Sequence, residues 1–202
     1  MKHAVVVAHP AHTSLNAAIA QTYRQTVEAL GHDVLVRDLY RMRFDPRLRA
    51  SEIPGPHPPR FRPDVLRERA MLADVDVFAF VYPLWFNAAP AILKGYVDRV
   101  FGMGFGFVPG FGGTHPALTG RKLVSFTTSG APDFWMRDTG ALHDLTRLFD
   151  AHLGGTCGLD VVDHTHFGGM VSGLTQEAVD EVLAKVRTSA KAHFRAHPPR
   201  VA

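Results

Sequence analysis

Cysteine is almost absent: Cys157 is the only one in 202 residues. One cysteine leaves no internal disulfide framework, which fits a reducing compartment, and a lone small thiol is expected in the core rather than as a reactive group. Long hydrophobic runs are absent as well. After Met1-Lys2-His3 the apolar stretch Ala4–Ala8 stops at His9-Pro10. That is too short for a signal-peptide core or a membrane span, so a cytoplasmic protein without membrane insertion is expected. No block of like charge stands out. The net charge is +3 and the basic residues are spread along the chain, which leaves no footprint for nucleic acid. Neither a Gly-x-Gly-x-x-Gly fingerprint nor a Walker lysine motif occurs, so neither a Rossmann dinucleotide site nor a nucleoside triphosphate site is indicated. Ser129-Gly130 lacks the Gly-x-Ser-x-Gly context of a hydrolase elbow.

What is present describes a globular chain, with 46% hydrophobic and 20% charged residues. We expect a single domain over 1–196 and a frayed tail over 197–202. Short apolar, β-branched runs alternate with helical patterns. Strands are expected at Ala4–Ala8, Asp33–Asp38, Val75–Tyr82, Lys122–Thr128 and Leu159–Val162. Helices are expected at Ser14–Leu30, Pro63–Ala73, Pro90–Phe101, Leu142–Leu153 and Thr175–Phe194, with loops at Gly102–Gly120 and over a Pro- and Arg-rich excursion, Arg41–Arg62. This alternation predicts an α/β fold: a parallel sheet with helices on both faces and a ligand at the carboxyl ends of the strands.

Three loops then matter. The first, His9–Ser14, runs into Leu15-Asn16 and a helix start, where free amides and the helix dipole suit a phosphate. An ordinary helix cap at Ser14 explains that residue equally well. The second, Pro83-Leu84-Trp85-Phe86-Asn87, puts large aromatics just past a buried strand. They are either core overflow or a wall for a planar ligand. The third, Thr127-Thr128-Ser129-Gly130, is small and polar and can offer amides to the edge of a heterocycle. Phosphate seat, aromatic wall and polar rim together describe a flavin site. His164-x-His166, with Asp160 and Asp163 nearby, is read as solvated loop residues rather than as a metal site.

The same segments carry a resemblance. Ala8-His9 through Asn16, Asp38–Pro46, Tyr82-Pro83-Leu84, Pro90–Phe101, Thr127-Thr128 and Cys157-Gly158 resemble the NAD(P)H:quinone oxidoreductases of flavodoxin-like fold, in the same order along the chain. The resemblance implies a sheet of order 2-1-3-4-5. It implies that His9, Thr13, Ser14, Leu15 and Asn16 hold the flavin phosphates, and that Pro83, Leu84, Trp85, Phe86 and Asn87 lie along the ring. Thr127, Thr128, Ser129 and Gly130 would meet its pyrimidine side. FAD is favoured over FMN, with NADH or NADPH as co-substrate and a quinone as acceptor in a ping-pong cycle. Phe105 and Phe107 match an aromatic loop that reaches a partner subunit's flavin in the family, which implies a homodimer with shared sites.

The chain also departs from that pattern. Mammalian-type members carry a tyrosine and a histidine after the fourth strand, where this chain reads Ser129–Arg137 and is about two residues shorter. Trp135 fits the tyrosine's place as a wall that relays no proton, and His143 is the candidate for the histidine. The alternative function is a flavoprotein regulatory subunit of a membrane potassium-efflux system, as close relatives are. A flavodoxin-type electron carrier is disfavoured, because the chain has neither a Thr-Gly-x-Thr phosphate loop nor a strongly acidic surface.

Overall fold

Five parallel strands form the main sheet of the computed structural model, which describes residues 1–196. The expected frayed tail, 197–202, lies outside the described residues. Strand β1 (Lys2–Val7) is buried from His3 onward, as an apolar β-branched run between two layers must be. It lies between β2 (Asp33–Asp38) and β3 (Val77–Pro83). Beyond β3 come β6 (Lys122–Thr128) and β7 (Asp160–Phe167). Between β3 and β6 in the chain, β4 (Phe107–Gly110) and β5 (Gly113–Pro116) form a separate antiparallel hairpin. The sheet reads β2-β1-β3-β6-β7, which is 2-1-3-4-5 when only its own strands are counted.

The alternation of β1 side chains builds two cores. Val5 and Val7 join Ile19, Tyr23, Phe126 and Val186 beneath α1 (Leu15–Ala29) and α7 (Gln176–His193). Ala4 and Val6 join Phe78, Phe80, Tyr96 and Leu153 on the other face. That face is covered by α2 (Pro63–Leu72), α3 (Ala91–Val100) and the chain from Ala141 to Cys157. Cys157 is buried there, and burial pushes its thiol up to about 11, the behaviour expected of a core residue.

Four segments differ from the sequence expectation. The Gly102–Gly120 loop contains the β4–β5 hairpin, hidden by its glycines and Pro109. The loop after β6 contains α4 (Asp133–Asp138). The helix expected over Leu142–Leu153 is α5 (Ala141–Leu145), a π-helical turn (Thr146–Ala151) and α6 (His152–Cys157). Strand β7 is twice the expected length, because Asp163, His164, Thr165 and His166 read as loop residues yet pair with β6 throughout. The rings of Phe101 and Phe105 stand 5.8 Å apart, with Phe101 in the core and Phe105 packed against it. Phe105 and Phe107 are both half-buried, and Phe111 is fully exposed.

The Pro- and Arg-rich excursion is held by one side chain. Arg99 of α3 is fully buried and grips Glu52 with two bonds of 2.7 and 2.9 Å. It also donates to Asp64 Oδ2 at 2.8 Å and to the Asp45 carbonyl at 2.6 Å. Hydrogen bonding from Arg99 holds the Glu52 carboxyl below its ordinary range. Close approach does the rest: a Cβ at Gly95 would stand 2.2 Å from the Pro46 carbonyl oxygen, so only glycine lets the excursion lie on α3.

Candidate functional site

The carboxyl ends of β1, β3 and β6 bring the three expected loops side by side. Ser14 caps α1: its Oγ accepts from the Ala17 amide at 3.2 Å. The cap leaves the hydroxyl proton free to donate. The amides of Leu15 and Asn16 have no acceptor among the described residues, as the first turn of a helix requires. Thr13 is exposed beside them, whereas Leu15 turns its side chain into the core and contributes its amide alone. Asn16 is buried and donates to Thr128 Oγ1 at 2.9 Å, which ties the first loop to the third. Its Oδ1 is buried without a partner. Ser14 is therefore a helix cap, and its capping leaves the Leu15 and Asn16 amides without acceptors among the described residues.

His9 leans towards the second loop, with its ring 6.5 Å from Trp85. The Ala11 amide donates to His9 Nδ1 at 3.0 Å, so the neutral ring carries its proton on Nε2. In the second loop Leu84 donates its amide to Thr128 O at 2.7 Å, and Trp85 and Ala88 exchange backbone bonds around a tight turn. Phe86 and Asn87 at its tip have φ of 51° and 54°, the left-handed region that L side chains avoid. Such strain at a sheet's ligand edge is a mark of function. Among the described residues their amides have no acceptors, and Asn87 Nδ2 pins the turn to Ala141 O at 2.9 Å. Phe86 is fully exposed and Trp85 is 43% exposed. The two aromatics are therefore not core overflow.

In the third loop Thr128 and Ser129 are buried and Gly130 is exposed. Trp135 lies on α4, 46% exposed, while its neighbour Met136 takes the core-facing place. His143 is exposed on α5 and does not point inward. Phe105 and Phe107 follow the carboxyl end of α3, at the far edge of the sheet from these loops. Phe107 borders a cavity of about 300 Å³ with Leu148, Phe149 and His152. The structure thus places the three loops at one edge of the sheet, with Trp135 on the helix after the third loop and Asn87 bonded to Ala141 at the start of the helix that carries His143.

Sequence reasoning missed a chain of polar groups under the third loop. Asp150, buried in the π-helical turn, accepts from Ser125 Oγ at 2.8 Å and is bonded to His164 Nδ1. His164 Nε2 meets Thr127 Oγ1 at 2.8 Å, and Thr127 Oγ1 meets His166 Nδ1 at 2.8 Å. His166 Nε2 meets Ser129 Oγ at 3.0 Å, and that hydroxyl also lies 2.9 Å from Ala131 O. The signal was a period of two on neighbouring strands: Ser125-x-Thr127 on β6, continued by Ser129 just past its end, beside His164-x-His166 on β7, in register. Thr127 therefore turns its hydroxyl to these histidines and not to the loop's ligand face. His164 and His166 are strand residues with partners, not solvated loop residues. Asp163 points elsewhere, bonded to Thr165 and Ser189.

Two buried histidines make the fold acid-sensitive. Burial, with smaller contributions from His32 and the amino terminus, lowers His3 to about 3. Burial, partly offset by Asp133, lowers His166 to about 4. An unfolded histidine titrates near 6.5. Below that pH the unfolded chain binds protons that the folded chain refuses, so stability falls as pH drops from about 6.5 towards 4. The urea midpoint should decline between pH 7 and 5, less steeply in His3→Gln. A flat midpoint over that range would contradict the assignment.

A doubly wound sheet of this order, with a phosphate-type helix start and a strained aromatic turn at its carboxyl edge, defines a flavodoxin-like protein. The chain belongs to the Flavodoxin_2 family, described as flavodoxin-like fold, which matches residues 1–190. It is 31% identical over 194 residues to an uncharacterized NAD(P)H oxidoreductase of Haemophilus influenzae, a match covering 95% of this chain and 96% of that one. It is 32% identical over 151 residues to the ribosyldihydronicotinamide dehydrogenase [quinone] of Rattus norvegicus, covering 66% of this chain and 65% of the rat protein. The structure of an NAD(P)H:quinone oxidoreductase from Methanothermobacter marburgensis shares the fold with a TM-score of 0.82, at 26% identity and over 98% of each chain. The family that the motifs resemble is the family found. No helix among the described residues is long and apolar enough to cross a membrane.

Proposed function

We propose that this chain is a flavin-dependent NAD(P)H:quinone oxidoreductase, with one flavin-binding domain over 1–196 and a cytoplasmic location. The observation that carries the reading is the pairing of two sets of uncommitted amides. Leu15 and Asn16 offer theirs at a helix start, and Phe86 and Asn87 offer theirs at a strained turn on the adjacent strand end. The first set suits a phosphate, the second the polar edge of a ring. The buried, unpartnered Asn16 Oδ1 between them is a polar atom awaiting a donor, which is an argument that the site is built for a ligand. The names of the Haemophilus, rat and Methanothermobacter relatives support the reaction class.

A bound flavin supplies hydride chemistry that the side chains lack. His9, Thr13, Ser14 and the Leu15 and Asn16 amides hold its phosphate, and the Pro83–Asn87 turn aligns its ring. Of the third loop's amides, Ser129 donates to Phe167 O at 3.0 Å, which leaves the Gly130 amide as the donor where negative charge would grow on reduction. One phosphate seat and one ring platform accommodate FMN fully, so FMN is the first species to look for. FAD, which the resemblance favours, needs a place for its adenosine in addition. Nicotinamide and quinone take turns over Trp85, Phe86 and Trp135, in a ping-pong order. Nothing among the described residues favours the regulatory alternative.

A homodimer follows from the same reading. Phe111 and Leu148 are 103% and 79% exposed, and Leu148 stands between two apolar grooves that also share Lys94 and Phe149. Sedimentation at micromolar concentration should give a dimer, and a monomer would contradict it. Trp135→Ala should raise KM for flat quinones several-fold, on the order of 1 kcal/mol, through a lost stacking surface. Flavin content should not change, because Met136 carries the packing of α4. A flavin-depleted variant with unaltered kinetics per bound flavin would remove Trp135 from the acceptor site. The reaction itself is tested by steady-state oxidation of NADH and NADPH against a panel of quinones, with turnover expected and none at all contradicting the proposal.

A further inference from the structure

Quinone reduction consumes a hydride and a proton. Resting on the function proposed above, we propose that Asp150, His164, Thr127, His166 and Ser129 form a buried proton relay that delivers that proton to the end of β6. Each link is 2.8–3.0 Å long or shorter, and the chain runs from a buried carboxylate to the rim of the ligand site.

Hydrogen-bond bookkeeping gives the relay two states. In the loaded state His164 carries protons on both nitrogens. Its Nδ1–H faces Asp150 and its Nε2–H donates to Thr127. Thr127 then donates to His166 Nδ1, His166 donates from Nε2 to Ser129, and Ser129 donates to Ala131 O. In the discharged state every donor between His164 and Ser129 is reversed. His164 Nε2 accepts from Thr127, Thr127 accepts from His166 Nδ1, and His166 Nε2 accepts from Ser129. The states differ by one proton. Discharge breaks the Ser129 O–H, His166 Nε2–H, Thr127 O–H and His164 Nε2–H bonds. It forms one new O–H on the reduced acceptor and replacement bonds at Ser129 Oγ, His166 Nδ1 and Thr127 Oγ1. His164 ends neutral, the acceptor has gained the proton, and the hydride comes from NAD(P)H.

The surroundings fit this traffic. Asp150 from the π-helical turn, a local irregularity frequent at functional sites, faces His164. Tyr82 of β3 lies opposite Thr127, and its buried hydroxyl has no partner and feels the Asp150 charge. Asp133 of α4 acts on His166, and the two histidines act on each other. A low intrinsic basicity keeps His166 neutral, so it passes protons on and the charge rests beside Asp150.

Thr127 is the link to break, because it carries no charge. Nitrogen NMR of the imidazoles in the flavin-free protein reads the relay without any reaction. As pH falls, His166 should switch from the Nδ1–H to the Nε2–H tautomer in step with protonation of His164. Thr127→Val should abolish that coupling and Thr127→Ser restore it. A His166 tautomer that ignores His164, or coupling that survives Thr127→Val, overturns the relay. In the flavin-loaded protein Thr127→Val should slow the acceptor step about 10²-fold per bound flavin, with rescue by Thr127→Ser. An unaltered acceptor step overturns the relay also. Should Thr127→Val not fold, Ser129→Ala removes the outlet: the acceptor step should slow likewise while the His164–His166 coupling persists, and an unaltered acceptor step overturns the relay. Absence of quinone reduction in the parent protein would refute the proposed function and leave the NMR result to judge the relay alone.

Discussion

Replacing Ser14 by Asp should strip the protein of flavin while its fold stays intact. The two effects separate because aspartate is as good a helix cap as serine, so the Ala17 amide keeps its acceptor. The new charge, however, lies in the seat formed by the Leu15 and Asn16 amides. Two unit charges about 4 Å apart repel by about 4 kcal/mol at an effective dielectric near 20, which corresponds to about 10³-fold weaker binding. Flavin absorbance per mole of purified protein should fall close to zero, with the helical circular dichroism of the wild type retained. Ser14→Asp protein that keeps its flavin would show that the phosphate sits elsewhere.

The second large effect is on stability. Arg99→Met should cost about 3–5 kcal/mol, because it leaves Glu52 charged, buried and without its partner. The urea midpoint should drop accordingly. The Pro- and Arg-rich excursion should come loose and become sensitive to protease, since Arg99 also holds Asp64 and the Asp45 carbonyl. The double variant Arg99→Met, Glu52→Gln should recover part of the loss, as paired groups do when both charges go. A single variant as stable as the wild type would show that the buried pair does not hold the segment.

The sheet was legible in the sequence because β1, β3 and β6 are largely apolar runs and β2 alternates apolar and polar residues: all four appear within about two residues of their expected bounds. The second half of strand β7, beyond Val162, was not, since its inward side chains are polar and answer Ser125, Thr127 and Asp150 instead of a hydrophobic layer. For the same reason the relay stayed hidden. Histidine, threonine and serine at a spacing of two look like loop until the neighbouring strand is known. The first two loops were legible because helix starts and aromatic turns are local features. The half-burial of Phe105 and the exposure of His143 were not legible, since which way a side chain faces depends on packing that no local pattern encodes. Arg99 stood in plain sight in the Pro90–Phe101 segment, but its burial needs Glu52 and Asp64 from distant stretches of chain.

The central claim is that the amide-lined seat and strained turn hold a flavin that works between a nicotinamide and a quinone. Anaerobic titration of the purified protein with NADH and NADPH, followed by its visible absorbance, tests it most directly. The account predicts a flavin spectrum that bleaches on addition of at least one of the two and returns when a quinone is added. Protein that carries no flavin when supplied with FMN and FAD, or a flavin spectrum that neither nucleotide bleaches, would contradict it.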